Sequence, residues 1–113
     1  MDIAFTDRKL QKICSSSREL TKHFGSDCGK LIGRRLQEME AARSLDELRM
    51  LPQAKCHALT GDRQGQFAVS AKHPYRVVFR PTQLPLPTKS DGGLDWTSVT
   101  AVTIIEIVDY HGN

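Results

Sequence analysis

Residues 67–79 read Phe67-Ala68-Val69-Ser70-Ala71-Lys72-His73-Pro74-Tyr75-Arg76-Val77-Val78-Phe79. Phe67, Val69 and Ala71 alternate with Ala68, Ser70 and Lys72, the period of two that marks a strand. His73-Pro74 interrupts the run. Proline has no N–H for a ladder, so a turn or an edge position falls there. Tyr75 to Phe79 forms the next strand. Two strands so close in sequence pair antiparallel, because a parallel pair needs a long crossover.

The reading extends outward from this pair. Upstream, Ala54 to Leu59 is a further strand candidate, and Gly61-Asp62-Arg63-Gln64-Gly65 is the turn between. Downstream, Val99 to Val108 is long and rich in β-branched residues. Near the start, Ile3-Ala4-Phe5 is a short apolar strand candidate. Thr6 or Asp7 can cap a helix beginning near Arg8, with Leu10, Ile13 and Cys14 at helical spacing and Leu20 and Phe24 continuing that face. Ser15-Ser16-Ser17 interrupts this unit, and Ser16 with Glu19 matches a capping box, so the helix can break and restart there. Gly25 ends it, and Ser26 or Asp27 can cap the next helix. Cys28, Leu31, Ile32, Leu36 and Met39 then recur at helical spacing, the strongest such pattern in the chain. Ser44 and Glu47 form a second capping box before a short helical turn to Met50. The expected fold class is α+β: two N-terminal helices packed on a twisted, mainly antiparallel sheet.

With 113 residues the chain is expected to form one domain over 1–113. No run approaches the ~20 apolar residues of a membrane span. Met1 to Leu10 carries charge and lacks the apolar centre of a signal peptide. Cys14, Cys28 and Cys56 are odd in number and widely spaced, which suits free thiols in a reducing cytoplasm. There is no P-loop, dinucleotide fingerprint or HExxH, which excludes the common nucleotide and zinc-protease motifs. His57 and His111 lack a carboxylate or thiolate at metal-ligand spacing, so neither a metal nor another cofactor is expected.

Sixteen Lys and Arg against thirteen Asp and Glu leave a net charge of only +3. The distribution is more informative. Residues 51–80 hold Lys55, Arg63, Lys72, Arg76 and Arg80 against Asp62 alone, a net of +4, while residues 81–113 carry −3. A local basic surface of this kind suits a nucleic acid. The same charge also fits an ordinary exposed sheet face. Residues 81–98, with Pro81, Pro85 and Pro87 before Asp91-Gly92-Gly93, make one long loop. In it Trp96, the only tryptophan, serves either to anchor a partner or to pin the loop to the sheet.

Histidines on strands beside a tyrosine and arginines can form a metal-free acid–base site. A phosphodiester suits such a group. A base takes the ribose 2′-OH proton, a guanidinium neutralises charge on phosphorus, and an acid protonates the departing 5′-oxygen. His57, His111, Arg76 and Arg63 are of the right types.

Four segments, in order, resemble the HigB-type toxins of the RelE/ParE superfamily. Lys55-Cys56-His57-Ala58-Leu59-Thr60-Gly61-Asp62-Arg63 is similar to the family's "lHpLkGdr". Gly65-Gln66-Phe67-Ala68-Val69 is similar to "GywsI", and Tyr75-Arg76-Val77-Val78-Phe79 to "wRitF". Ile105-Glu106-Ile107-Val108-Asp109-Tyr110-His111 is similar to the closing "EDYH". The resemblance implies the toxin of a type II toxin–antitoxin pair, which cleaves mRNA in the ribosomal A site without a metal. It implies a cognate helix-turn-helix antitoxin (HigA-like), the ribosome and mRNA as partners, with no membrane and no small-molecule cofactor. By position it implies His57, Arg76, Asp109, Tyr110 and His111 as catalytic. His57 and His111 would exchange protons, and Arg76 would stabilise the pentavalent phosphate. Tyr110 would stack on or orient a base, and Asp109 would position a histidine. Lys55, Arg63, Lys72, His73 and Arg80 would contact RNA.

The sequence departs from the family at three positions. Pro74 stands where the family has asparagine, Thr60 where it has lysine, and Ala58 where it has proline. Loop 81–98 is also longer than in compact members. Relatives that inhibit DNA gyrase without catalysis share the expected fold, so a ParE-like binder is the alternative. A general RNA-binding sheet would need aromatic platforms, and aromatic residues are only 6% of this chain.

Overall fold

The computed structural model of the protein describes residues 1–109. The chain begins with strand β1 (Asp2–Phe5) and continues through helices α1 (Arg8–Cys14), α2 (Ser17–Phe24), α3 (Ser26–Ala41) and α4 (Leu45–Arg49). Strands β2 (His57–Ala58), β3 (Phe67–Ser70), β4 (Tyr75–Pro81) and β5 (Ala101–Asp109) complete it. The α+β architecture expected from the sequence is the one observed.

Capping explains the helix boundaries. The Asp7 carboxylate accepts from the Leu10 N–H at 2.7 Å and starts α1. Ser16 Oγ accepts from the Glu19 N–H and starts α2, so the serine run does divide the first helical unit. Ser44 does the same for α4 through Glu47. At α3 the expectation fails: neither Ser26 nor Asp27 caps it. Gly25 occupies the N-cap position at φ 84°, with no side-chain hydrogen bond. That φ favours glycine, and it turns the chain sharply enough for α3 to start one residue after α2 ends. The two helices then approach closely at Gly29, where an added Cβ would lie 2.9 Å from the Leu20 carbonyl group.

The sheet order is β1-β5-β4-β3-β2, with β1 parallel to β5 and the other pairs antiparallel. Its helix-facing side presents Phe67 and Val69, Val77 and Phe79, and Val102 and Ile104, all buried against Leu20, Ile32, Met39, Leu45 and Leu48. The β4–β5 register slips between Val78 and Phe79: Val78 pairs with Glu106 but Phe79 pairs with Ile104. Ile105 is the extra residue of a bulge. One buried cation ties the layers together. Arg35, on α3, is 6% exposed. Its Nε donates to the Ser70 carbonyl at 2.8 Å, and one Nη donates to Glu38 at 2.8 Å.

Three sequence expectations are corrected. The strand expected over Ala54–Leu59 is only His57–Ala58; Pro52–Ala54 forms a 3₁₀ turn, and Lys55 adopts a left-handed conformation at φ 49°. The long last strand runs Ala101–Asp109 rather than Val99–Val108. Pro81 belongs to β4 and is buried, so the loop begins at Thr82. This loop is also less irregular than expected. Thr88 bridges to Leu94, and Trp96–Ser98 forms a 3₁₀ turn. Hydrogen bonds from the Thr97 and Ser98 side chains to Asp95 lead the causes that hold its carboxyl below the ordinary 3.8. Trp96 packs edge-on to Phe67, with ring centroids 5.1 Å apart, and lies beneath the Arg49 guanidinium at 4.5 Å. It pins the loop to the sheet and to α4.

Candidate active site

The face of the sheet opposite the helices carries the polar side chains. Cross-strand pairing sets their order. His57 is opposite Ala68, Ala68 opposite Val78, and Val78 opposite Glu106, one row across four strands. Two residues along β4, Arg76 lies between Ser70 and Val108. Directly paired residues share a face, so His57, Arg76 and Glu106 stand on the same side. Ala68 and Val78 are fully buried on that face, and they give the polar groups an apolar floor.

The sequence positions His57 through its neighbour Lys55. The 3₁₀ turn at Pro52–Ala54 ends on Lys55 in the left-handed region, a conformation costing a non-glycine residue about 1 kcal/mol. The turn points the Lys55 carbonyl at the imidazole: His57 Nδ1 lies 2.9 Å from that oxygen. A carbonyl can only accept, so Nδ1 carries the proton and Nε2 presents a lone pair. Nε2 lies 3.4 Å from an Nη of Arg76. A half-buried histidine with its Nε2 on the open face, beside a half-buried guanidinium, is an arrangement able to take a proton next to a bound anion.

The other expected residues separate into groups. Arg63, in the turn after β2, reaches across the face to ion-pair with Glu106 on β5 and also bonds Gln66 at 2.8 Å. Arg80 is exposed four residues beyond Arg76 on β4, about 13 Å along the strand, and one Nη donates to the Pro81 carbonyl. Lys55 is exposed beside His57. Lys72 instead points toward the helices, with its ammonium 3.1 Å from Asp27. His73 is exposed in the β3–β4 turn, before the cis peptide to Pro74. Asp109 ends β5 opposite Tyr75, one residue past Val108, the partner of Arg76. Tyr110 and His111 lie outside the described residues.

Two residues at the site escaped the sequence reading. Glu106 was part of a quoted motif but had no role. Its place in the His57 row follows from pairing, and no local pattern signals it. Arg35 reads as one of several helix cations, although it fixes the end of β3 directly opposite Arg76. Its only signal was its position three residues after Ile32 and four before Met39, on the buried face of α3.

The fold defined by this helix layer and five-stranded sheet is one seen in a solved toxin structure. The chain is similar to the YoeB/ParE toxin from Agrobacterium tumefaciens, with a TM-score of 0.57 over 98% of this chain and 100% of that chain, at 12% sequence identity. At that identity the likeness is one of fold. No protein-family model and no curated protein matches the chain. No helix among the described residues is long and apolar enough to cross a membrane.

Proposed function

We propose that the protein is the toxin of a type II toxin–antitoxin pair, acting as a ribosome-dependent endoribonuclease of the HigB kind. The observation that carries this reading is the His57–Arg76 pair: a histidine whose Nδ1 is held by a main-chain carbonyl, with its Nε2 3.4 Å from a guanidinium on an open sheet face. A fold shared with a YoeB/ParE toxin supports it. In this reading mRNA lies across the outer face. His57 Nε2 takes the 2′-OH proton, and the oxygen attacks the adjacent phosphorus. Arg76 bonds the phosphate oxygens as negative charge builds. The motif likeness assigns return of a proton to the 5′-oxygen to His111, with Asp109 and Tyr110 placing it and the base. Lys55, Arg63 and Arg80 hold the flanking phosphates, and His73 extends this contact toward the β3–β4 turn; Lys72, paired with Asp27 on the helix side, takes no part in this contact. The partners are the ribosome with its mRNA and a HigA-like helix-turn-helix antitoxin, and the setting is the cytoplasm.

The test is mRNA cleavage by the full chain with and without translating ribosomes. Cleavage confined to translated message is expected, with His57→Ala, Arg76→Ala and His111→Ala each abolishing both cleavage and growth arrest. Inhibition of gyrase supercoiling with no cleavage would replace this reading with the ParE-like one, which the name of the structural neighbour also allows.

A further inference from the structure

We propose, on the reading of the sheet face as an RNA site, that Glu106 is its base-reading residue and that the Glu106 carboxylate selects guanine. A carboxylate is out of place on a surface suited to phosphate, yet Glu106 stands in the row of His57, beside the strand that carries Arg76. Negative charge repels a phosphate. The position suits instead the part of a nucleotide that donates hydrogen bonds.

Strand pairing sets the spacing. Arg76 is opposite Val108 and Val78 opposite Glu106, so Glu106 is a diagonal neighbour of Arg76. Diagonal neighbours on a sheet stand about 7–8 Å apart, within reach of long side chains. A nucleotide with its phosphate on Arg76 can turn its base toward Glu106. Val78, fully buried, and Val108, half-buried, complete the same square of four residues. They offer the flat base an apolar bed.

The carboxylate is held without being used up. Arg63 donates to Oε1, the one hydrogen bond of the Glu106 side chain among the described residues. Arg63 is itself braced by Gln66 at 2.8 Å. A carboxylate offers about four acceptor sites, so Oε2 and the second lone pair of Oε1 remain for a ligand. The Glu106 side chain is 40% exposed, which leaves these atoms open to the face. An ion pair this exposed adds little to stability, so folding alone does not account for the placement of the charge.

The donor pattern picks the base. Two carboxylate oxygens match two adjacent donors in one plane. Guanine offers N1–H beside its 2-amino group. Adenine and cytosine each set one amino donor beside a ring-nitrogen lone pair, and uracil sets its single N3–H between two carbonyls. In those three bases one carboxylate oxygen meets a lone pair. Single-stranded RNA leaves this Watson–Crick edge open to a side chain.

The test is fluorescence anisotropy of the full chain with 2′-O-methyl strands of equal length, rich in uridine and carrying guanosine, adenosine, cytidine or inosine at every third position. The parent is expected to bind the guanosine strand at least about fivefold more tightly than the adenosine and cytidine strands. Inosine lacks the 2-amino group, and its strand is expected to lose most of that preference. Ratios between strands are read, so the general gain from removing a negative charge cancels. E106Q exchanges one acceptor for a donor and is expected to favour adenosine over guanosine. E106A is expected to show no preference, and both variants to keep the parental Tm. A parent without the guanosine preference, equal binding of the inosine and guanosine strands, or an E106Q variant with the parental ratio would overturn the proposal. R76A separates that failure from failure of the site reading. Weaker binding of every strand by R76A keeps RNA on this face and lays the failure on Glu106 alone; undiminished binding takes RNA off the face and overturns both.

Discussion

His57 and Arg76 face one another across β3, with Nε2 of the histidine 3.4 Å from an Nη of the arginine, and the Lys55 carbonyl fixes the opposite nitrogen of the same ring. The pair therefore combines a base of defined tautomer with a fixed cation. His57→Ala removes the base and is expected to slow cleavage by about 10²-fold or more. Arg76→Ala removes charge stabilisation and is expected to cost about as much. Arg76→Lys should recover only part of the rate, because an ammonium cannot grip phosphate bidentately. Single-turnover cleavage on programmed ribosomes, with Tm as the fold control, measures each value. A His57→Ala enzyme that cuts at the parental rate would remove the histidine from the chemistry.

Glu106 shares the row of His57 and pairs with Arg63. Its carboxylate occupies a phosphate-binding face and engages one of the cations that RNA would use. Glu106→Gln is expected to tighten RNA binding by about two- to fivefold at low salt, with the gain fading as salt rises. Arg63→Gln should weaken it over the same range. Anisotropy with a non-cleavable single strand reads both. Equal affinity for Glu106→Gln and the parent would show that this charge does not face the bound strand.

Arg35 and Glu38 form a largely buried pair whose arginine also satisfies the Ser70 carbonyl. Arg35→Ala leaves a carboxylate and a main-chain oxygen without their partner and is expected to cost about 3–5 kcal/mol. The double change Arg35→Met with Glu38→Leu should cost much less, since no charge is left alone. Urea denaturation midpoints at equal m-value compare them. Equal losses in the two variants would place the penalty in packing rather than in the stranded charge.

Burial raises the Cys56 thiol to about 12 and the Cys14 thiol to about 11 from an ordinary 9.0, and raises Cys28 as well. Each thiol holds its proton in the folded state at pH values where the unfolded chain has lost it. The unfolded state thus binds fewer protons above about pH 9, and stability falls as pH rises from there toward 12. Two measurements follow. At pH 8 the folded protein should react with a disulfide reagent far more slowly than the urea-unfolded chain. Tm should be flat in this respect below pH 9 and decline above it. Rapid labelling of all three thiols in the native protein would contradict the first.

Local patterns were enough to read most of the fold. The period of two in β3, the turn before Tyr75 and the capping boxes at Ser16 and Ser44 each reflect forces within a few residues. The expected cap at Ser26 or Asp27 failed because the tight α2–α3 junction needs Gly25 in a positive-φ conformation, a demand set by how two helices meet. The strand at Ala54–Leu59 shrank to two residues because Pro52 and Lys55 turn the chain to aim one carbonyl at His57. His57 and Arg76 stood out as residue types in recognisable motifs. Glu106 and Arg35 did not, since their parts depend on partners 43 and 35 residues away in sequence.

The bulge at Ile105 gives β5 a split phase. Before it, Val102 and Ile104 fill the interior; after it, Ile107 does, and Glu106 comes out on the face of His57. A single strand thus turns even-numbered residues inward at one end and an odd-numbered one inward at the other, and one unpaired residue sets the changeover. Deleting Ile105 would place inward Ile104 directly before outward Glu106, the ordinary alternation, so Glu106 and Ile107 would keep their sides and only the local bend of the bulge would be lost. The sides of the groove residues are held by pairing with β4, and counting along β5 alone misassigns them.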